Sequence, residues 1–374
     1  MTAYPLLTCD DQIVALAEKL AQTDLIAVDL EADSMHSYQE KICLVQITYG
    51  DETCLIDPLG LTNLDPLKPI LADPKVRKVF HAADYDLRCL HRDFDITING
   101  LFDTLICAQF CGEEKIGLAD LLGKYFNVQL DKRFQRADWS RRPLSDEMLA
   151  YAAEDTNHLF RLAELLEARL RELGRWEWAT EEFGYQEQVQ FAINGGPLFM
   201  KIKGAGRLER SQLGILEQLL LWRETEAERR DCPPFKVIGN RELLALAQTA
   251  PTSPQGLKQT EGLSPRHIDR LGKKLLAVIQ KALAIPAEEL PSFPRQAPRF
   301  QRDPKVDARF DLLKKWRKST AAALHLDPGV LINNALLEEL ARACPRSAAD
   351  LEKVAAMKNW QRRELGAGIL DQLR

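Results

Sequence analysis

An internal repeat constrains the C-terminal half of this 374-residue chain more than any other feature. Beyond about residue 200, strand patterns disappear and amphipathic helical patterns dominate. Identities recur there in one ungapped register, at an offset of 94 residues: Trp222-Arg223 with Trp316-Arg317, and Leu271-Gly272 with Leu365-Gly366, among others. Chance does not keep so many identities in a single register. The repeat therefore predicts two copies of one small helical domain.

A proline-rich stretch separates the two copies. Residues 283–305 contain five prolines, a composition typical of a semi-rigid linker. We predict four segments on this basis: a first domain over 1–200, a helical domain over 206–284, a linker over 285–304 and a second helical domain over 305–374.

The first domain alternates strand and helix patterns, which indicates an α/β layer fold. Strand-like runs cover 25–28, 42–49, 53–56 and 76–80, and short helical patterns cover 64–71 and 85–91. Residues 145–171 predict one long amphipathic helix. Ser145 is the expected N-cap of that helix, with acidic residues in the first turn.

Composition excludes several protein classes. The chain is 45% hydrophobic and 28% charged, as expected of an ordinary globular protein. It shows no signal peptide and no apolar run of membrane-spanning length. The eight cysteines form no CxxC pair, so we expect free thiols and a cytoplasmic location. The net charge of −5 argues against a general nucleic-acid coat, although residues 292–374 carry 16 basic and 10 acidic side chains.

Four carboxylates occupy positions that secondary structure can bring together. Asp29 and Glu31 close the first predicted strand, and residues two apart on a strand point to the same face. Asp86 stands at the start of the helix that follows the fourth strand. Asp155 follows Tyr151 by four residues, so the long helix places that phenol and that carboxylate on one face.

Clustered carboxylates repel one another and resist desolvation unless a cation neutralises them. Oxygen donors without a companion Cys or His cluster suit Mg²⁺ or Mn²⁺. Two such ions about 3.5–4 Å apart stabilise the attacking and leaving oxygens of a phosphodiester displacement. The pattern predicts metal-dependent phosphodiester hydrolysis with two divalent cations, in which Tyr151 hydrogen-bonds the attacking water.

Three motifs in this order resemble the bacterial ribonuclease D family, in the tyrosine subclass of the DEDD exonuclease superfamily. They are VDLEAD at 28–33, HAADYD at 81–86 and YAAED at 151–155, and the stretch FQRADWSRRPLS at 134–145 also resembles the family. The helical copies resemble HRDC domains. Leu30 departs from the Thr that is common between the first two acids, and strand alternation predicts that it faces away from the metals.

The resemblance implies a ribonuclease-H-like α/β exonuclease domain, with a mixed sheet and flanking helices, followed by two all-α HRDC domains. It implies a 3′–5′ exoribonuclease that trims RNA 3′ ends, such as those of tRNA precursors, and releases 5′-monophosphates. By the same resemblance, Asp29, Glu31 and Asp155 hold the first metal ion. Asp29 and Asp86 hold the second, and Tyr151 positions the nucleophilic water.

Residues just after the first motif could contact the RNA. Met35 and His36, with Tyr38, are predicted to stack on the terminal base, and a plain loop over the strand edge is an equally open interpretation. Asp33 is an additional acid near the site, and we expect it to be solvated.

Three further residues are predicted to bind substrate. Trp139 and Arg142 combine aromatic and cationic character just before the helix of the third motif, although Arg142 could equally orient that helix. His81 is placed near the scissile phosphate by the resemblance, whereas taken alone it is more readily a structural histidine. Trp222 and Trp316 are expected to lie in the cores of their repeats.

Two alternatives remain open. A DNA exonuclease of the same superfamily has the same metal site, and no residue here identifies a contact to the RNA 2′-hydroxyl. A decayed nuclease that only binds RNA is disfavoured because every metal ligand is retained. The stretch 295–318, with nine basic and three acidic residues, is the expected phosphate-binding surface for the body of the RNA.

Overall fold

The computed structural model describes residues 4–192, 195–293 and 303–374. In these residues the strands are β1 (Leu6–Leu7), β2 (Leu25–Ala32), β3 (Ile42–Tyr49), β4 (Glu52–Ile56), β5 (Arg77–Phe80) and β6 (Leu101–Asp103). The helices of the first domain are α1 (Asp10–Leu20), α2 (Lys68–Ala72), α3 (Asp84–Phe94), α4 (Thr104–Cys111), α5 (Leu118–Phe126), α6 (Asp146–Asn157), α7 (Leu159–Glu172) and α8 (Trp176–Gln186).

Ten further α-helices follow among the described residues, in two matching sets of five. The first set is α9 (Arg210–Arg229), α10 (Pro234–Val237), α11 (Asn240–Thr249), α12 (Pro254–Gln259) and α13 (Pro265–Leu283). The second set is α14 (Pro304–Ala323), α15 (Pro328–Leu331), α16 (Asn334–Ala343), α17 (Ala348–Glu352) and α18 (Asn359–Leu373). The bounds of α9, α10 and α11 recur 94 residues later in α14, α15 and α16, as the repeat predicts.

The strands form one mixed sheet in the order β1-β4-β3-β2-β5-β6. Strands β2, β3 and β4 are antiparallel neighbours, while β5 runs parallel to β2 and β6 runs parallel to β5. The four strand-like runs of the sequence are confirmed. Strands β1 and β6 were not predicted because two or three residues are too few to show the alternation of a strand.

The prediction of one helix over 145–171 is wrong, because the helix breaks at His158. Helix α6 ends at Asn157 and α7 begins at Leu159. The hydroxyl of Thr156 bonds to the Thr48 hydroxyl at 2.8 Å, and the Asn157 side chain accepts from Thr53 Oγ1 at 2.6 Å. These contacts bind the end of α6 to the sheet, whereas α7 packs against α4. Hydrophobic periodicity does not register such a break. The predicted Ser145 cap is present, and its Oγ accepts from Met148 N.

Two compact units are present in the described part of the chain. One contains 4–32, 42–191 and 303–374, and the other contains 33–41 with 195–293. In the first unit the C-terminal helical copy packs on α8. The rings of Trp178 and Trp360 stack with centroids 4.8 Å apart, and Glu181 accepts the backbone N–H groups of Asn359 and Trp360 at 2.7 and 2.8 Å. A buried aromatic pair and a capped helix therefore join α18 to α8.

Each helical copy contains an equivalent arginine that donates a hydrogen bond to an equivalent backbone carbonyl. Arg223 donates to the carbonyl of Ile238 at 3.3 Å, and its repeat partner Arg317 donates to the carbonyl of Ile332 at 2.6 Å. Both arginines are buried. Trp222 and Trp316 are only half-buried and pack against the edges of their cores rather than at the centres.

Two findings in the described residues bear on the expectations drawn from composition. None of the helices there has the length and apolar content needed to cross a membrane. All eight cysteines are free thiols, and five of them are buried. Part of the predicted linker, residues 294–302, lies outside the described residues.

Candidate active site

Strand β2 carries the first two acids on one face of the sheet. Asp29 lies opposite Gln46 of β3, and Glu31 lies opposite Leu44. Helix α6 packs over β2, β3 and β4. Leu30 points to the opposite face, where it is buried in the main apolar core. The sequence prediction for Leu30 is therefore confirmed.

The third and fourth acids come from helices. Asp86 lies in the first turn of α3, immediately after β5, and is buried. Asp155 lies in the last turn of α6. The sheet supplies one pair of carboxylates while α3 and α6 each add one, so sequence positions 126 residues apart contribute to one site.

Electrostatic coupling shows that the four acids share one environment. Burial raises the pKa of Glu31 to about 10, and the charges of Asp29, Asp155 and Asp86 add to the shift. Burial also raises the pKa of Asp29, with Asp155 as the next cause, and raises the pKa of Asp86, with Asp29 as the next cause. Burial raises the pKa of the Asp155 carboxyl to about 7. Four carboxyls that oppose one another's ionisation call for cationic partners.

Tyr151 shares this environment from α6, one turn before Asp155. Its ring lies 5.7 Å from the ring of Phe134, edge-on, and 6.0 Å from the ring of Trp139. Burial raises the pKa of the Tyr151 phenol, and the charges of Asp155, Glu31 and Asp29 raise it further. The hydroxyl therefore keeps its proton at neutral pH and can hydrogen-bond a water molecule.

The residues present fit hard divalent cations. The donors are carboxylate oxygens, which Mg²⁺ and Mn²⁺ prefer. Gln46, fully buried opposite Asp29, has a side-chain amide with no hydrogen-bond partner among the described residues. Such an amide calls for a polar partner. Within the described residues, no group of three or more acidic, His or Cys side chains is already arranged to hold a metal ion.

A further acid, Asp103, supports the site and was missed by the sequence analysis. Its fully buried carboxylate caps α4 by accepting from Leu105 N at 2.8 Å, and it also accepts from Ala82 N at 3.0 Å and from Ala83 N at 2.9 Å. Ala82 has a φ of 65°, a left-handed conformation that is unfavourable for alanine. Asp103 therefore stabilises the turn that leads to Asp86. Its place between a strand and a helix is an N-cap signal that could have identified it.

His81 lies at the start of the same turn. Its Nδ1 lies 2.9 Å from the Thr104 hydroxyl, which in turn donates to the Phe80 carbonyl at 3.0 Å. Burial lowers the pKa of His81, and the nearby Asp103 carboxylate opposes the shift. A direct contact of His81 with RNA stays a prediction.

Trp139 cannot stack on a base in this conformation. It is 1% exposed and packs with Cys43, Leu44 and Tyr151. The expectation of an RNA contact is corrected: Trp139 packs against the ring of Tyr151. Its aromatic character suited either role, and only packing distinguishes a buried ring from an exposed one.

The guanidinium of Arg142 bonds to other groups of the protein. It forms a two-pronged ion pair with Asp57, at 2.5 and 2.7 Å, and donates to the carbonyls of Cys43 and Trp139. These bonds tie the segment before α6 to β3 and to the residue that follows β4. A contact of Arg142 with RNA stays a prediction.

Met35 and His36 lie in the segment 33–41, which groups with the second compact unit. Met35 is 46% exposed. Their contact with the terminal base stays a prediction.

Comparisons with known proteins agree with this architecture. A family model described as 3′-5′ exonuclease matches residues 4–171, and one described as HRDC domain matches residues 212–279 and 306–373, again 94 residues apart. Ribonuclease D of Granulibacter bethesdensis is 30% identical over 98% of this chain and 91% of its own length. Ribonuclease D of Escherichia coli K12 is 34% identical over 77% of each chain.

A solved structure shows the same fold. The crystal structure of Escherichia coli RNase D, an exoribonuclease involved in structured RNA processing, matches with a TM-score of 0.75 and 28% identity. The match covers 99% of this chain and 98% of that one. The exonuclease fold followed by helical HRDC domains, expected from the sequence, is confirmed.

Proposed function

This chain belongs to the ribonuclease D family, and from that premise we propose how its own residues carry out 3′–5′ exonucleolytic hydrolysis of RNA. The chain is a hydrolytic exoribonuclease with a DEDD exonuclease domain. The family uses divalent metal ions, and the choice between Mg²⁺ and Mn²⁺ is part of what the experiment below addresses. The shared electrostatic environment of the four carboxylates is the observation that carries the proposal.

We assign the two cations to Asp29, Glu31, Asp86 and Asp155. Asp29, Glu31 and Asp155 would hold the first ion, and Asp29 with Asp86 would hold the second. The raised pKa values of these acids support the assignment, because cations would remove the repulsion that now opposes ionisation. When bound, the two ions neutralise charge that develops on the attacking and leaving oxygens of the phosphodiester.

The protein residues position the reactants. The Tyr151 hydroxyl, which keeps its proton, orients the attacking water by hydrogen bonding. Phe134 and Trp139 fix the direction of the Tyr151 ring by packing on it. The Asp103 cap fixes the turn that leads to Asp86, and the polar contacts of α6 with the sheet fix the helix that carries Asp155. Orientation of this kind lowers the barrier by holding a near-attack geometry.

The substrate proposed is the 3′ end of RNA, such as that of tRNA precursors, and the products are nucleoside 5′-monophosphates. The free thiols are compatible with the cytoplasm, which we propose as the site of action. A basic surface on α14 would hold the body of the RNA. Lys305, Lys314, Lys315 and Lys318 are exposed there, whereas Arg295, Arg299 and Arg302 of the same predicted stretch lie outside the described residues.

A cleavage ladder tests the function. Matched 5′-labelled single-stranded RNA and DNA are incubated with Mg²⁺, with Mn²⁺ and with a chelator, alongside the Asp155→Asn variant. We expect metal-dependent shortening of RNA from its 3′ end, no shortening by the variant, and an unchanged circular dichroism spectrum of the variant. Faster digestion of DNA than of RNA would overturn the assignment of RNA as the substrate. Persistent activity of Asp155→Asn would overturn the site assignment.

A further inference from the structure

The loop that follows the first motif is held by the first HRDC copy. We call residues Asp33–Lys41 the motif-one loop; it connects β2 with β3 and begins two residues after Glu31. Although it comes from the exonuclease part of the sequence, it groups with residues 195–293 in the second compact unit. A loop in the middle of one domain thus packs with another domain.

The motif-one loop is closed at its base by Asp33, contrary to the expectation that this acid is solvated. Asp33 is 0% exposed. Its carboxylate accepts from Lys41 N at 2.8 Å, from Lys41 Nζ at 2.5 Å and from Ser37 Oγ at 2.6 Å. Its backbone N–H donates to the Lys41 carbonyl at 3.2 Å. These bonds satisfy the buried acid and give the loop a defined shape.

Away from its base, the loop is anchored through Tyr38 to the segment that follows α9. The Tyr38 backbone N–H donates to Asp231 Oδ1 at 3.1 Å, just after the end of α9. Its ring packs against the apolar core of the first HRDC copy. Burial raises the pKa of the Tyr38 phenol, and the nearby carboxylates of Glu224 and Glu228 raise it further. Tyr38 is therefore a packed anchor rather than a free aromatic side chain.

The acidic residues near Tyr38 are specific to the first HRDC copy. Glu224, Glu228 and Asp231 have Lys318, Ala322 and His325 at the equivalent positions of the second copy. The two copies share their helix bounds and their buried arginine, so the common fold does not require these acids. The acidic end of α9 is a local adaptation that provides a hydrogen-bond acceptor for the loop.

We propose that the first HRDC copy positions the motif-one loop for the RNA 3′ terminus, with Asp231 and Tyr38 as positioning residues. The inference rests on the proposed function. Met35 stays 46% exposed in the loop and is free to contact a base, while the bonds of Asp33 fix the base of the loop and the bond to Asp231 fixes its backbone at Tyr38. A preordered loop binds the terminal nucleotide without an ordering cost at the moment of binding. The first HRDC copy therefore raises the affinity for the substrate through the loop, in addition to any contact of its own with RNA.

Four substitutions in the full chain separate this role from general stability. Asp231→Gly removes the acceptor but suits the backbone, since Asp231 has a φ of 44°. Asp231→Asn keeps a side-chain oxygen that can accept from Tyr38 N. His325→Gly is the matched control at the equivalent position of the second copy, where φ is 53°. Tyr38→Ala is a second test of the anchor and is used if Asp231→Gly fails to fold.

Amide hydrogen exchange of the loop, measured without metal or RNA, is the first readout. We expect exchange in residues 36–41 of Asp231→Gly to be about fivefold faster than in wild type, as expected when one hydrogen bond that restrains the loop is lost. Asp231→Asn and His325→Gly are expected to exchange like wild type there. Unchanged loop exchange in both Asp231→Gly and Tyr38→Ala would overturn the anchoring.

Steady-state cleavage of a labelled single-stranded RNA is the second readout. We expect Asp231→Gly to raise KM about fivefold with kcat within about twofold of wild type, because the loop acts on binding rather than on the reacting atoms. Faster loop exchange together with an unchanged KM would overturn the positioning role. If wild type fails to shorten RNA at all, the ribonuclease function is refuted, and the exchange measurement still decides whether the copy holds the loop.

Discussion

Replacing Glu31 by glutamine should stabilise the metal-free protein at neutral pH while abolishing its activity. The pKa of Glu31 is raised from 4.5 to about 10 in the folded chain, mainly by burial and then by Asp29. Between these two values the folded state binds a proton that the unfolded state releases. Stability therefore falls as the pH rises from about 4.5 towards 10. Glutamine is neutral in both states and removes this dependence.

The size of the effect follows from the same pKa values. A pH of 7 lies about 2.5 units above the pKa of the Glu31 carboxyl in the unfolded chain. The raised pKa in the folded chain therefore lowers the free energy of unfolding at pH 7 by at most about 3 kcal/mol. At pH 5 this loss of stability falls below about 1 kcal/mol. For a unit of this size, about 3 kcal/mol raises the melting temperature by roughly 6–12 °C. The gain of Glu31→Gln should therefore shrink as the buffer is acidified.

Thermal unfolding with a chelator at pH 5, 6, 7 and 8 measures the gain directly. Glu18→Gln, at an exposed position on α1, is the matched control and should leave the melting temperature unchanged at each pH. Added Mg²⁺ or Mn²⁺ should stabilise wild type more than Glu31→Gln, because only wild type retains the full ligand set. A Glu31→Gln melting temperature equal to or below that of wild type at pH 7 with chelator would refute the reasoning. A gain independent of pH would do the same.

Three other variants give distinct outcomes. Tyr151→Phe should lower kcat about 10²-fold in the cleavage assay while KM and the unfolding midpoint change little. The ring contacts remain in this variant and only the hydroxyl is lost. An unchanged kcat would refute the proposed role of the Tyr151 hydroxyl. Changing Lys314 and Lys318 together to glutamine should lower the magnitude of the slope of log affinity against log salt concentration by about 1.4. The slope is measured by RNA binding to chains that also carry the inactivating Asp155→Asn substitution. An equal slope would exclude RNA binding by the α14 surface. Arg142→Met should destabilise the fold by about 2–4 kcal/mol in urea unfolding, because it leaves the carboxylate of Asp57 unpaired in a largely buried position; wild-type stability would show that the pair is dispensable.

Local pattern was sufficient for much of the fold and for the chemistry of the site. Strand β3 is a continuous run of strand-forming residues, and the Ser145 cap is a local backbone signal, so both could be predicted from neighbouring residues. The identity of the four acids and of Tyr151 was also readable, because chemistry requires particular side chains at particular spacings. Their roles rest on that pattern together with the shared electrostatics of the folded chain.

Predictions failed where the folded chain, rather than the residue type, decides the surroundings of a side chain. Trp139 suited an RNA contact by its aromatic character, yet it is buried and packs against Tyr151. Asp33 seemed a solvated acid, yet its charge is satisfied by a lysine and a serine in a closed loop. The helix over 145–171 breaks because the side chains at its middle bond to strands about 100 residues away.

The sequence by itself determined the alternation of strands and helices and the two helical copies at an offset of 94 residues, because these depend on local periodicity and on residue type. Residue type also singled out the four acids that we propose as metal ligands. Only the tertiary structure decided how each acid is supported and which residues are buried. Asp103 shows the difference, since its importance comes from three backbone N–H groups, two of them from a turn about 20 residues earlier. The attachment of the motif-one loop to the first HRDC copy shows it again, because the bond from Tyr38 to Asp231 joins residues 193 positions apart. Contacts at that separation are set by how the chain packs, and no local pattern specifies them.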